Sequence, residues 1–172
     1  AGHYEDQQKL FSFYEKTWYV EDGKQVDKLP ENFYSSDFYA TKGMSYIDES
    51  IKEDKPFFNY LAFTAPHWPL QVPDDYIDLY KGSYDEGYEV LAQERMKKMK
   101  QLGIVPKHSK VPPLSPNVRP WKTLTAKEKK ISSKTMEVYA AMVERLDANV
   151  GRVIKHLKDK GVYENTVIVF LA

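Results

Sequence analysis

Cysteine is absent from this 172-residue chain, which excludes disulfides, thiolate metal sites and a cysteine nucleophile among these residues. Neither charge is in surplus, since 25 Lys and Arg balance 25 Asp and Glu. Capture of nucleic acid needs a basic face, so no nucleic-acid partner is expected. The small clusters Lys97-Lys98-Lys100 and Lys127-Lys129-Lys130 read as solvated helix surface. No apolar run approaches the ~20 residues of a membrane span, and no membrane partner is expected. The opening AGHYEDQQKLF lacks the basic-then-apolar order of a signal peptide. A glycine-rich phosphate loop and a closely spaced histidine pair for zinc are also missing.

What is present alternates between helix and strand patterns. Thr17-Trp18-Tyr19-Val20 and Lys24-Gln25-Val26, separated by Asp22-Gly23, suggest a short strand pair. Ser35, Ser36 and Asp37 offer N-caps for a helix over Asp37 to Ile51, where Phe38, Met44, Ile47 and Ile51 recur at helical spacing. Lys55-Pro56 then opens Phe57 to Phe63, apolar on both faces except at Asn59, as in a buried central strand. Pro73-Asp74-Asp75 reads as the start of a short helix through Tyr80, stopped at Gly82. A charged helix follows over Glu86 to Leu102, then a loop over Ile104 to Trp121 with five prolines and His108. Such a loop serves either a functional surface or a plain surface excursion.

Thr125 and Glu128 form a capping-box pattern for a helix reaching Lys160. Met136, Tyr139, Ala140, Val143, Leu146, Val150, Val153, Ile154 and Leu157 mark one apolar stripe along it. Gly161 ends this helix, and Thr166 to Leu171 reads as a second buried strand. The order implies an α/β domain with parallel pairing.

Four histidines could do chemistry. His156 lies near a helix C-terminus, where a cation is favoured by the helix dipole without any further role. His108 stands between lysines in an exposed loop, and His3, in Gly-His-Tyr, cannot be judged from its neighbours. His67 differs, because it follows the strand Phe57 to Phe63, and open α/β sheets bind ligands beyond the carboxyl ends of strands. Pro66 and Pro69 restrict the backbone on either side of it. A functional histidine and a structural one bonded to a nearby backbone group both fit that position. Asp74-Asp75 could ligate a hard cation, but a helix start explains the pair more simply, and Asp147 reads as a structural residue bonding to a neighbouring loop.

Three stretches in order carry a resemblance: FFNYLAFTAPHWPLQ with the following Val72-Pro73-Asp74, MEVYAAMVERLDANVGRVI, and ENTVIVFLA. Together with Leu29 to Asp37 they resemble the bacterial and fungal arylsulfatases. The resemblance implies an alkaline-phosphatase-like α/β fold, a mostly parallel sheet flanked by helices, incomplete in this chain. It implies hydrolysis of small-molecule sulfate esters by a formylglycine made from a C/S-x-P-x-R motif, with calcium as cofactor. At the position of His67 the family places a histidine that contacts the sulfate, a hydrogen-bond donor or general acid. Neither the nucleophile motif nor the calcium ligands are present; Ser115-Pro116-Asn117 has the wrong order. Residues 1–172 are therefore expected to be an interior section of a sulfatase catalytic domain, inactive alone. The metal ligands are expected before Ala1 and just after Ala172, and the remainder of the parent domain is the implied partner. The alternatives are a phosphomonoesterase or phosphodiesterase of the same superfamily and a non-catalytic helical binding module.

Overall fold

The turn Asp22-Gly23 is the first point at which sequence dictates backbone. Both residues have positive φ, 50° and 75°, as a tight antiparallel hairpin requires. In the computed structural model, which describes His3 and residues 19–171, the turn joins β1 (Val20–Glu21) to β2 (Lys24–Gln25). Thr17 and Trp18, expected in this pair, lie outside the described residues. The chain divides into two compact units, Ala1–Pro73 with Met142–Ala172, and Asp74–Ala141.

In the first unit, Tyr19, Leu29 and Phe33 form a small core against Val26, Phe38 and Tyr39. The helix α1 (Ser35–Lys52) follows Tyr34, and no side chain caps it. Ser35, Ser36 and Asp37 are instead its first residues, which corrects the expected caps. Ser35, Ser36, Ala40, Gly43 and Ile47 are its buried positions, and four of them are small. That face admits a second segment at close range. Asn59 Nδ2 donates to the Gly43 carbonyl at 3.2 Å, and a Cβ on Gly43 would lie 2.9 Å from both Asn59 Nδ2 and Leu61 Cδ2.

The long helix α3 (Ala126–Asp159) brings its second half to this unit. Asp37 takes two hydrogen bonds from Arg145, at 2.8 and 2.6 Å, and one from Asn149 at 2.7 Å. Arg152 donates to Thr41 at 2.9 Å, and Asp48 accepts from His156 and Lys160 at 2.9 Å each. The partners advance together along both helices, so α1 and this half of α3 run side by side in one direction.

In the second unit a single 3₁₀ turn, Asp74–Tyr76, stands where a short helix was expected, and Gly82 follows at φ 78°. The helix α2 (Tyr88–Gln101) starts after Gly87. Gly87 has φ 90° and faces the Trp121 ring, which an added Cβ would meet at 2.4 Å. Tyr88 packs edge-on against Trp121 at 5.4 Å, and Glu89 Oε1 accepts the Trp121 N–H at 2.9 Å. The loop leaving α2 thus returns to the first turn of α2. At the start of α3, Glu128 Oε2 accepts from Thr125 N–H at 2.8 Å, and Thr125 Oγ1 accepts from Glu128 N–H at 3.3 Å. The capping box forms as its spacing predicts. Gly161, at φ 71°, follows the helix end.

The two expected strands are corrected. Phe57 to Phe63 and Thr166 to Leu171 join no ladder among the described residues, whose only sheet is β1–β2. They are apolar yet open to solvent: Phe58 is 93% exposed, Tyr60 79%, Val167 91% and Leu171 84%. Strand-forming composition favours burial of these side chains, but burial requires a covering layer. No helix among the described residues is long and apolar enough to cross a membrane.

Candidate functional site: the His67 turn

The extended segment after Pro56 turns at Thr64-Ala65-Pro66-His67, where the His67 N–H donates to the Thr64 carbonyl at 3.0 Å. The Ala65-Pro66 and Trp68-Pro69 bonds are both cis. Ala65 and Pro69 are buried, whereas His67 and Trp68 face outward. The turn therefore has a fixed inner side and an exposed imidazole.

The His67 ring is tied at one nitrogen. Nδ1 lies 2.7 Å from the Trp68 carbonyl oxygen. A carbonyl only accepts, so Nδ1 carries a proton, and Nε2 remains on the exposed side of the ring. Neutral His67 would present a lone pair at Nε2. Only the doubly protonated ring presents an N–H there.

Beneath the turn sits His3, fully buried at 0% exposure. Its Nε2 donates to the His67 carbonyl at 2.9 Å, which by the same reasoning fixes its tautomer. Nδ1 is then the acceptor, with Thr64 Oγ1 at 3.3 Å and Ser35 Oγ at 3.4 Å. These two hydroxyls are 3.2 Å apart, so one can donate to the ring and the other to its neighbour. Burial is the main cause that holds the His3 pKa below the ordinary histidine value, with the bond to the His67 carbonyl opposing it. A neutral ring, with Nε2 donating and Nδ1 accepting, fits these hydrogen bonds. His3 stacks on Tyr34 at 5.9 Å, and the Tyr34 hydroxyl donates to the Gln71 carbonyl at 3.1 Å. The Ser35 N–H donates to the His3 carbonyl at 2.9 Å, and the Gln71 N–H meets Met142 Sδ at 3.3 Å. Both flanks of the His67 turn are thus held by residues distant in sequence.

The other singled-out residues do not join this site. His108 is exposed in its loop. His156 pairs with Asp48, an acid as the helix-end reading allows. Asp74 and Asp75 are exposed on the 3₁₀ turn. Asp147 is exposed and makes no hydrogen bond to a loop among the described residues, whereas Asn149, two positions on, bonds Asp37 of α1. No three His, Cys, Asp or Glu side chains converge among the described residues. His3, Ser35 and Tyr34 were missed as parts of a site. Nothing local marks them, because their partners lie 29 to 64 positions away.

A family model described as Sulfatase matches residues 2–172. Over 156 residues the chain is 44% identical to an uncharacterized sulfatase of Schizosaccharomyces pombe, covering 90% of this chain and 28% of that protein. It is 43% identical over 155 residues to an arylsulfatase of Klebsiella aerogenes, covering 90% of this chain and 33% of that protein. Among solved structures, the Bacteroides fragilis protein yidJ, assigned to the sulfatases, aligns with a TM-score of 0.52 at 20% identity. That alignment covers 84% of this chain and 26% of the other, and it supports the α/β fold of the family. The chain spans about a third or less of the length of these relatives.

Proposed function

The chain belongs to the sulfatase family, and from that premise we propose that it is an interior section of the catalytic domain of a sulfuric ester hydrolase, to which it contributes His67. The exposed apolar segments Phe57 to Phe63 and Thr166 to Leu171 are, on this reading, strands of a mostly parallel sheet completed by the rest of the parent. Their solvent-exposed Phe58 and Val167 support it, as does the chain's one-third share of its relatives' length. Arylsulfate-type esters are the proposed substrates, by likeness to the Klebsiella aerogenes arylsulfatase.

The observation that carries the assignment is the polarity of the His67 ring: Nδ1 is engaged by the Trp68 carbonyl and Nε2 faces outward. Cleavage of a sulfate ester builds negative charge on the bridging oxygen as the S–O bond lengthens. A doubly protonated His67 can donate from Nε2 to that oxygen, or to a peripheral sulfate oxygen, while the Trp68 carbonyl keeps the ring from rotating away. Stabilisation then grows with the charge, which is the requirement for lowering a barrier rather than merely binding. Formylglycine and calcium, the family's nucleophile and metal, would be supplied by residues outside those described.

Replacing His67 by Ala in the full-length parent should lower kcat by roughly 10²-fold, the scale of a positioned acid or oxyanion donor. The melting temperature should stay near that of the parent. Retention of full kcat would return His67 to a structural role.

A further inference from the structure

We propose that His3 is a positioning residue for His67: it fixes the backbone of the turn, and through it the line along which Nε2 of His67 reaches the ester oxygen. The proposal rests on the reading of His67 as that donor. Three observations carry it. His3 is wholly buried, and its Nε2 hydrogen bond ends on the carbonyl of His67 itself. The acceptor side of the same ring is satisfied by Thr64, which opens the turn, and by Ser35 on α1. Among the described residues the His67 side chain bonds forward, to Trp68, so its direction follows the peptide that His3 grips.

A buried histidine could serve only stability, by filling volume against Tyr34 and satisfying one carbonyl. The two roles differ in what they do to the reaction. Loss of packing changes melting and leaves chemistry alone. Loss of aim weakens donation to the leaving oxygen, and the loss is greatest where the leaving group most needs it. Misplacement of a donor by a fraction of an ångström is enough to change rates several-fold.

The test uses the full-length parent with aryl sulfates whose phenols differ in acidity, 4-nitrophenyl sulfate and phenyl sulfate being the extremes. His3→Phe keeps a ring against Tyr34 but removes the N–H. Its kcat is expected to fall about tenfold for phenyl sulfate and less for 4-nitrophenyl sulfate, with KM changed by less than about twofold. His3→Gln restores an N–H donor at similar reach and is expected to recover much of the loss. A folded His3→Phe enzyme with an unchanged dependence on the leaving group overturns the positioning role. If His67→Ala also leaves every rate unchanged, the assignment of His67 falls as well, so the two failures are distinguishable. Should His3→Phe fail to fold, Thr64→Val, which removes a hydroxyl on the acceptor side, is expected to give the same steeper leaving-group dependence in milder form. Its absence there overturns the role. Nitrogen-15 spectra of the histidine-labelled parent decide independently: a proton on Nε2 of His3 with Nδ1 bare supports it, and the opposite tautomer overturns it.

Discussion

Two stretches of this protein are rich in proline and carry a histidine, and they are built differently. Around His67, the turn from Thr64 to Gln71 is held by side chains of His3 and Tyr34, which arrive from 64 and 37 positions away. Around His108, the backbone between residues 105 and 118 makes, among the described residues, only local turn bonds, Ser109 N–H to Pro106 at 3.0 Å and Val118 N–H to Ser115 at 2.9 Å. Its anchors come only at its far end. There Tyr88 bonds the Arg119 carbonyl, and Trp121 sits on Gly87 and Glu89. Proline stiffens both loops, but stiffness alone does not aim a side chain. Support from distant residues does, and only one of the two histidines has it.

The comparison breaks first at the rate of the reaction. His67→Ala in the full-length parent should cost roughly 10²-fold in kcat, whereas His108→Ala should leave kcat within experimental error. Steady-state kinetics on one aryl sulfate measures both, and a comparable loss at His108 would erase the distinction.

The next effect is at the anchor of the second loop. Gly87→Ala demands a left-handed backbone of an L-residue and drives a Cβ to 2.4 Å from the Trp121 ring. Strain and overpacking together should destabilise by about 2–4 kcal/mol, read by urea denaturation, with kcat at low denaturant kept. A Gly87→Ala protein as stable as the parent would mean that the loop's end is free to shift.

Smaller again is Tyr34→Phe, which removes the hydroxyl bonded to the Gln71 carbonyl and keeps the ring on His3. A loss of about 1 kcal/mol is expected from such a bond. The smallest effect is the pH response of the capping box. Hydrogen bonds from the Thr125 N–H, then its hydroxyl, then Arg119 hold Glu128 at a pKa of about 2 rather than 4.5. Its folded-state pKa is depressed, so its contribution is present above 4.5 and is lost as pH falls from there toward 2. In Glu128→Gln the acid-side fall in melting temperature should be slightly shallower over that window. An unchanged profile would show that the exposed carboxylate contributes nothing.

The sequence was most legible where structure is local. Thr125 and Glu128 announced their capping box three residues apart, Asp22-Gly23 announced its hairpin, and Gly161 announced a helix end. It was misleading where the outcome depends on a covering layer. Phe58 and Val167 sit in segments that read as buried strands and are exposed instead, because an apolar pattern states a preference and does not supply the neighbour. For the candidate site, the strand-then-proline setting singled out His67, and the resemblance suggested its role. His3 was illegible, since a histidine in Gly-His-Tyr carries no sign of the carbonyl it will meet 64 residues later.

The most direct measurement is a crystal structure of the full-length parent with sulfate bound. Nε2 of His67 is expected at about 2.7–3.2 Å from a sulfate oxygen, the range of an N–H···O hydrogen bond, with Nδ1 still on the Trp68 carbonyl and His3 still on the His67 carbonyl. Sulfate held in the catalytic centre with the His67 ring turned away, or beyond hydrogen-bonding reach, would contradict it.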